Sequence, residues 1–158
     1  MLVDQEDTPL FLGPIHRILT GVALDELAAA AEVIGAGFDI VEQAAAVQAL
    51  GPATLAVTDG QRWATVKLDL PPDRAAVELL HEELVPALSR GPHRIEYHHS
   101  VDATLSSLRK DTVAVLMPAP DVDLVLKIAA DDRLLPEKAT SFQPKPSVGV
   151  LIRSLRDE

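Results

Sequence analysis

The sequence predicts an α+β domain in which helices pack on at least one face of a mixed β-sheet. Three observations carry this prediction. The second half of the chain alternates strand-like and helix-like segments, the middle contains one β-hairpin centred on Asp59-Gly60, and residues 112–117 form a continuous apolar run typical of a strand buried on both faces. The length of 158 residues suits one domain with a sizeable core.

The first half of the chain supplies extended segments, two helices and the hairpin, after a polar lead-in at residues 1–9. Apolar residues at helical spacing predict the helices, and Gly35 and Gly51 are suited to end them. Asp59-Gly60 favours the positive φ angles of a tight turn. The predicted elements are strand 10–19 with a break at Gly13-Pro14, helix 24–34, strand 38–41, helix 44–50, and hairpin strands 54–58 and 62–68.

The second half of the chain alternates helix and strand. Pro71-Pro72 is suited to open a long helix, and Ser100 is suited to cap a shorter one. A loop rich in lysine and proline then precedes a final apolar run. The predicted elements are helix 73–88, strand 94–98, helix 101–108, strand 112–117, helix 122–129 and strand 148–152. We therefore expect a single domain over residues 10–158.

The composition excludes several classes of protein. The formal net charge is −10, so the chain as a whole repels nucleic-acid phosphate and anionic membranes. The absence of cysteine excludes disulfides and thiolate metal sites, and it fits a reducing compartment. No apolar run approaches the ~20 residues that span a bilayer, and the acidic N-terminus is unlike a signal peptide. We expect a cytoplasmic protein with no nucleic-acid partner and no membrane partner.

The motifs of common enzymes are missing from the sequence. Gly35-Ala36-Gly37 lacks the third glycine of a phosphate-binding loop and follows a helix. His81-Glu82-Glu83 begins like a zinc-protease helix, but no histidine follows four residues after His81. His98 and His99 are adjacent in a predicted strand and point to opposite faces. The sequence predicts no metal site and no cofactor, and it leaves the catalytic residues unknown.

A basic loop near the end of the acidic chain is the main functional signal. Residues 133–156 carry a net charge of +4, whereas the rest of the chain carries −14. Lysines in this loop supply point charges, hydroxyls supply donors, and prolines hold the backbone rigid, while an arginine of the first strand is suited to grip phosphate oxygens. The candidate anion-binding residues are Arg17, Lys138, Thr140 and Lys145, with His16 as a proton donor or acceptor.

Two segments resemble a known family. Residues 10–19 (LFLGPIHRIL) resemble a Leu-x-Ile-x-Pro-Thr-His-Arg-Leu strand, and residues 135–151 resemble a Met-Pro-x-Lys-Ser-Thr-Tyr-Phe-Tyr-Pro-Lys-x-x-Ser-Gly-Leu signature. Both are similar to the C-terminal half of the bacterial family designated domain of unknown function one-zero-one-five, whose members are sometimes labelled SerC-like. The family's serine and two tyrosines are replaced at three positions, Ala139, Ser141 and Gln143.

The resemblance implies a larger functional unit. Full-length members of the family carry an Asp-Gly-His-His-Arg motif in an N-terminal half that is similar to ParB and sulfiredoxin folds. That motif is missing here, so we expect this chain to be a stand-alone or truncated C-terminal half. A ParB-like or sulfiredoxin-like domain is the partner that the resemblance implies. The candidate residues Arg17, Lys138, Thr140 and Lys145, together with His16, all match positions of the family's motifs.

Two functional hypotheses follow. In the first, the loop and Arg17 contribute a phosphate-binding half-site to the ParB-like partner, and a phosphate-bearing small molecule is the ligand. In the second, the chain is a non-catalytic interaction or scaffold domain, the loop lysines are solvated, and Phe142 anchors the loop in the core. Because His16 and Arg17 are adjacent in a strand, at most one of them faces a given pocket. No self-contained catalytic constellation is evident, so we do not expect the isolated chain to be an enzyme.

Overall fold

A computed structural model of the protein describes residues 11–143, and antiparallel strand pairing organises this part of the chain. Its strands are β1 (Phe11–Gly13), β2 (His16–Thr20), β3 (Gly37–Val41), β4 (Thr54–Thr58), β5 (Trp63–Lys67), β6 (Arg94–His98), β7 (Thr112–Leu116) and β8 (Ser141–Gln143). Its helices are α1 (Leu24–Val33), α2 (Gln43–Gln48), α3 (Ala76–Leu79) with a π-turn at Leu80–Leu84, α4 (Val101–Ser106) and α5 (Val122–Ala130).

Six strands form one sheet in the order β3-β5-β4-β7-β2-β6, and β1 pairs with β8 in a separate two-stranded sheet. All neighbouring strands in the described sheets are antiparallel. The α+β fold class is confirmed. All five residues of β7 are buried, which confirms the prediction of a strand covered on both faces.

Helices cover both faces of the six-stranded sheet. Successive strand residues point to opposite faces, so Val115 and Leu116 belong to different apolar clusters. The larger cluster lies between the sheet and α1, α3 with its π-turn, and α5. The smaller cluster lies between the sheet and the face that carries α2 and α4. Arg17 shares a face with Leu19 and the larger cluster, whereas His16 and Ile18 point to the face of α4.

The predicted hairpin is confirmed, although its loop is longer than a two-residue turn. β4 and β5 pair up to Thr58 and Trp63, which leaves four residues, 59–62, in the loop. The Asp59 carboxylate accepts hydrogen bonds from the amides of Gln61 and Arg62, at 3.0 and 2.7 Å. These bonds satisfy amides that a tighter turn would place in the strand ladder, so β5 begins one residue later than predicted.

The long helix predicted for residues 73–88 is shorter in the structure. The two prolines lie at a turn in which the Arg74 amide donates a hydrogen bond to the Pro71 carbonyl at 3.1 Å, and α3 begins only at Ala76. The Glu78 side chain folds back to accept a hydrogen bond from the Ala75 amide at 2.7 Å, which fixes the start of the helix. Glu78 is only 2% exposed, and Arg133 compensates its charge at 2.6 Å. Beyond Leu79 the helix widens into the π-turn.

The remaining predicted elements agree within a few residues. The Ser100 hydroxyl caps α4 by accepting a hydrogen bond from the Ala103 amide at 3.2 Å, as predicted. Strand β8 was not predicted, because three residues within a proline-rich segment carry no periodic signal. It pairs with β1, so that Leu12 lies opposite Phe142. The predicted lead-in at residues 1–9 and the predicted strand at 148–152 lie outside the described residues.

Gly60 is suited to a test of the hairpin, because its φ of +91° lies in the left-handed region that disfavours a side chain. We expect Gly60→Ala to lower the free energy of unfolding by about 1–2 kcal/mol. Gly91 is a matched control, because it lacks a positive φ and a Cβ there would meet nothing within 4 Å. Urea denaturation of both variants checks this, and equal losses in the two variants would contradict the assignment.

Candidate functional site

A cavity of about 600 Å³ lies on the face of the sheet that carries the larger cluster. Its walls come from the start of β2, the loop before α3, and the segment that joins β7 to α5. Most of the lining is aliphatic, and its prolines are Pro52, Pro71, Pro72, Pro118 and Pro120. The charged side chains of the lining are Arg17, Arg74 and Asp121. The cavity is therefore an apolar space with a few charged groups, as in small-molecule sites.

Arg17 is the most deeply buried of these charged groups, with 1% of the residue exposed. Its guanidinium donates hydrogen bonds from Nη1 to the Ile15 carbonyl and from Nη2 to the Lys138 carbonyl, the latter at 2.9 Å. It also lies 5.6 Å from the centre of the Tyr97 ring on the neighbouring strand. Its Nε atom is buried and has no hydrogen-bond partner within residues 11–143.

The positive charge of Arg17 has no carboxylate within 4.0 Å among the described residues. Burial disfavours the charged form and lowers the pKa of Arg17 to about 10, while Tyr97 acts in the opposite direction. Carbonyl oxygens and an aromatic ring compensate only part of a buried charge. An anion in the cavity would supply the missing compensation together with an acceptor for Nε.

Arg74 and Asp121 lie at more exposed parts of the cavity wall. Arg74 is held by two carboxylates of the π-turn, Glu82 and Glu83, both at 2.6 Å. Asp121 precedes α5 and accepts a hydrogen bond from the Asp123 amide at 2.8 Å, as an N-cap. The positive charge of the cavity that is not paired with a carboxylate is therefore that of Arg17.

His16 lies on the opposite face of β2 from Arg17, as the alternation of a strand requires. Its Nδ1 atom accepts a hydrogen bond from the Met117 amide at 3.1 Å, and the residue is only 3% exposed. Burial and the nearby Arg17 charge lower the pKa of His16 to about 4. The imidazole is therefore neutral at pH 7 and holds the end of β7, and it does not line the cavity.

The structure brings part of the predicted loop to Arg17. Lys138 meets it through the main-chain carbonyl, while the Lys138 side chain is exposed to solvent. The backbone of Lys138 has a φ of +55°, an uncommon conformation for a residue other than glycine. Ala139 lines the cavity and Thr140 beside it is half-buried. Lys145 lies outside the described residues.

Sequence reasoning missed three side chains that shape this site: Arg74, Tyr97 and Asp121. Arg74 follows a proline pair that was interpreted as the start of a helix, and nothing in its neighbourhood marks a cavity. Tyr97 and Arg17 are far apart in sequence and meet only because β2 and β6 pair in this register. Asp121 is the N-cap of α5, and its place in the cavity wall depends on the path of the chain from β7 to α5.

Within residues 11–143, no group of three or more histidine, aspartate or glutamate side chains is arranged to hold a metal ion. None of the helices in this range is long and apolar enough to cross a membrane.

Similarity to known proteins is found at the level of the fold. No protein-family model matches the sequence, and no curated protein matches it. A mutant free serine kinase in complex with AMP has a TM-score of 0.59 and 17% identity, over 90% of this chain and 57% of that chain. A mutant free serine kinase in complex with ADP has a TM-score of 0.55 and 14% identity, with the same coverage.

A conserved hypothetical protein from Pyrococcus furiosus is similar to the same extent. Its TM-score is 0.58 and its identity is 15%, over 90% of this chain and 60% of that chain. The chain thus spans 57–60% of the length of the solved structures that it resembles. At this level of identity the similarity shows a shared fold. The resemblance to the family of unknown function stays a prediction.

The pKa of His16 gives a pH dependence with a definite sign. Its folded-state pKa of about 4 lies below its ordinary value of 6.5, so the unfolded chain binds more protons between these values. Stability from this group is complete above pH 6.5 and is lost as the pH falls toward 4. We expect the shifted pKa of His16 to lower the free energy of unfolding by about 2 kcal/mol when the pH falls from 7 to 5.

The variant His16→Asn tests this, because its side-chain oxygen retains an acceptor for the Met117 amide but does not titrate. Urea denaturation at pH 7 and pH 5 should show a smaller loss for this variant than for the wild type. His93→Asn is the control, since His93 lies at the other end of β2 beside Gly21. If His16→Asn keeps the full pH dependence, His16 is not its source.

Proposed function

We propose that this chain is a nucleotide-binding domain, in which the cavity beside β2 holds an adenine nucleotide with a phosphate group against Arg17. The observation that carries the proposal is the buried guanidinium of Arg17, whose Nε has no hydrogen-bond partner and which has no carboxylate within 4.0 Å among the described residues. Arginine binds phosphate through parallel N–H donors, and such charge-assisted bonds are strong in an environment of low dielectric constant.

The dimensions and the lining of the cavity support a small organic anion. A volume of about 600 Å³ lies within the ~300–1,000 Å³ of typical small-molecule sites. The aliphatic side chains and prolines of the walls are suited to cover a nucleobase and the carbon atoms of a ribose. The carboxylate of Asp121 is suited to accept hydrogen bonds from sugar hydroxyls. Its negative charge also disfavours a phosphate group at that wall.

The shared fold supports the nucleotide over other anions. The solved structures with this fold include free serine kinases in complex with AMP and with ADP. A phosphoryl-transfer role for this chain, with a free amino acid as acceptor, follows as a proposal from that similarity. The chain spans 57% of those kinases, so we propose that further residues outside this sequence complete the catalytic machinery. The ParB-like partner implied by the sequence resemblance is a proposal of the same kind.

The predicted half-site forms part of this proposal. Arg17 donates to the carbonyl of Lys138, and Ala139 lines the cavity, so the loop and the cavity share a wall. We propose that Thr140 and the ammonium group of Lys138 lie near the outer phosphate groups of the bound nucleotide. His16 is left out of the binding site, because it points to the other face of the sheet.

Isothermal titration of the protein with ADP tests the proposal. Arg17→Met keeps a long side chain but removes the charge, and we expect it to weaken ADP binding about 10- to 100-fold, the value of a hydrogen bond to a charged group. Removal of a buried charge that is only partly compensated should offset the loss of its two hydrogen bonds, so the melting temperature should change little. Weak binding would then not result from unfolding.

The matched control is Arg62→Met, because Arg62 is half-exposed and pairs with Asp25 and Asp59 far from the cavity. This variant should bind ADP as the wild type does. An Arg17→Met variant that binds ADP within twofold of the wild type would contradict the proposed site. A wild-type protein that binds none of ADP, AMP, phosphate or phosphoserine would instead favour the alternative hypothesis, a scaffold domain without a small-molecule ligand.

A further inference from the structure

The cavity walls combine one carboxylate with two arginines. Among residues 11–143, the polar side chains of the lining are those of Arg17, Arg74 and Asp121, and the remaining lining residues are aliphatic residues, prolines and Met117. A guanidinium is a donor only, and a carboxylate is an acceptor only. Because Arg74 is engaged by two carboxylates of the π-turn at 2.6 Å, a ligand meets a free cation at Arg17 and an acceptor at Asp121. The cavity therefore suits a ligand that carries an anion at one place and hydrogen-bond donors at another.

Arg17 and Asp121 lie at different depths of this cavity. Arg17 is 1% exposed, whereas Asp121 is an exposed residue. The wall between them is continuous, because all five residues 117–121 line the cavity. This wall begins just after β7, the strand that pairs with β2 beside Arg17, and it ends just before α5. A ligand that places its anion against Arg17 therefore has Asp121 beside the part of its framework that lies nearer the opening.

The Asp121 carboxylate is held in place by α5 and keeps acceptor positions for a ligand. Its Oδ1 atom accepts a hydrogen bond from the Asp123 amide at 2.8 Å, which fixes the side chain as the N-cap of the helix. Within residues 11–143, Oδ2 makes no hydrogen bond and no arginine, lysine or histidine nitrogen lies within 4.0 Å of the carboxylate. An acceptor that is already oriented costs a ligand less entropy on binding.

We propose that Asp121 determines the sugar specificity of the site, by accepting hydrogen bonds from the ribose hydroxyls of a nucleotide whose phosphate group lies against Arg17. This inference rests on the proposed function, since it names the class of nucleotide that the same site takes. That class is the 5′-ribonucleotides with free 2′- and 3′-hydroxyls. A deoxynucleotide lacks the donors that the carboxylate requires. A nucleotide with a phosphate group on the ribose brings a second negative charge to Asp121.

The probe for this inference is 2′,3′-dideoxy-ADP, which differs from ADP only in the two ribose hydroxyls. Isothermal titration of the whole chain should show that ADP binds about tenfold more tightly, the lower end of the value for a hydrogen bond to a charged group. Asp121→Asn retains the cap through its Oδ1 and offers the ligand only an N–H donor, so it should bind the two nucleotides within about twofold of each other. Asp123→Asn is the matched control, because it removes a carboxylate from the same turn but does not line the cavity, and it should keep the wild-type preference.

A comparison of AMP with adenosine 2′,5′-bisphosphate supplies a second measurement, because these ligands differ only in a phosphate group on the ribose. The wild-type protein should bind the bisphosphate about fivefold more weakly, since the opposing charge of Asp121 is exposed, and Asp121→Asn should remove most of this difference. The two proposals fail in different ways. Equal binding of ADP and 2′,3′-dideoxy-ADP by the wild-type protein, or an Asp121→Asn variant that keeps the preference for ADP, would overturn only the role of Asp121. A wild-type protein that binds none of these nucleotides would overturn the proposed function as well.

Discussion

The guanidinium of Arg17 is 1% exposed, and the groups that the fold places around it compensate only part of its charge. β2 lies between β6 and β7, so the Arg17 side chain is enclosed by the sheet and its helices. Main-chain carbonyls and the Tyr97 ring supply partial negative charge, but no carboxylate does so within residues 11–143. The fold thus keeps a cation that is only partly compensated beside an apolar cavity, which is an arrangement suited to an anionic ligand.

The same guanidinium ties the closing loop to the rest of the domain. Its bond to the Lys138 carbonyl joins residues 121 positions apart in sequence, and the loop reaches it through a left-handed backbone conformation. Such strained conformations persist where surrounding contacts enforce them, often at ligand sites. A ligand that binds Arg17 would therefore also act on the loop beside Ala139, through the hydrogen bond from Arg17 to the Lys138 carbonyl. This gives a physical link between the basic loop and a cavity that the sequence does not reveal.

Local signals in the sequence predicted most of the fold. The buried run of β7, the Asp59-Gly60 hairpin and the Ser100 cap each depend on adjacent residues, and all three are confirmed. The site was predicted less fully, because it depends on contacts between distant residues. Arg17 was predicted as a candidate anion-binding residue from its chemistry and from its match to the family motif, yet its burial depends on strand order and on the pairing with Tyr97. The π-turn at Leu80–Leu84 was not predicted. The sequence there was considered only as a zinc-protease motif, which the spacing of its histidine excludes.

The proposed site requires that Arg17 Nε, which has no partner within residues 11–143, donates a hydrogen bond to an oxygen atom of a bound phosphate group. The most direct test is the ¹H–¹⁵N NMR signal of Arg17 Nε–H during a titration of the wild-type protein with ADP. A new charge-assisted hydrogen bond should shift this signal downfield and slow its exchange with water, in proportion to occupancy. A signal that stays unchanged while ADP binds elsewhere, or while ADP fails to bind, would contradict the claim.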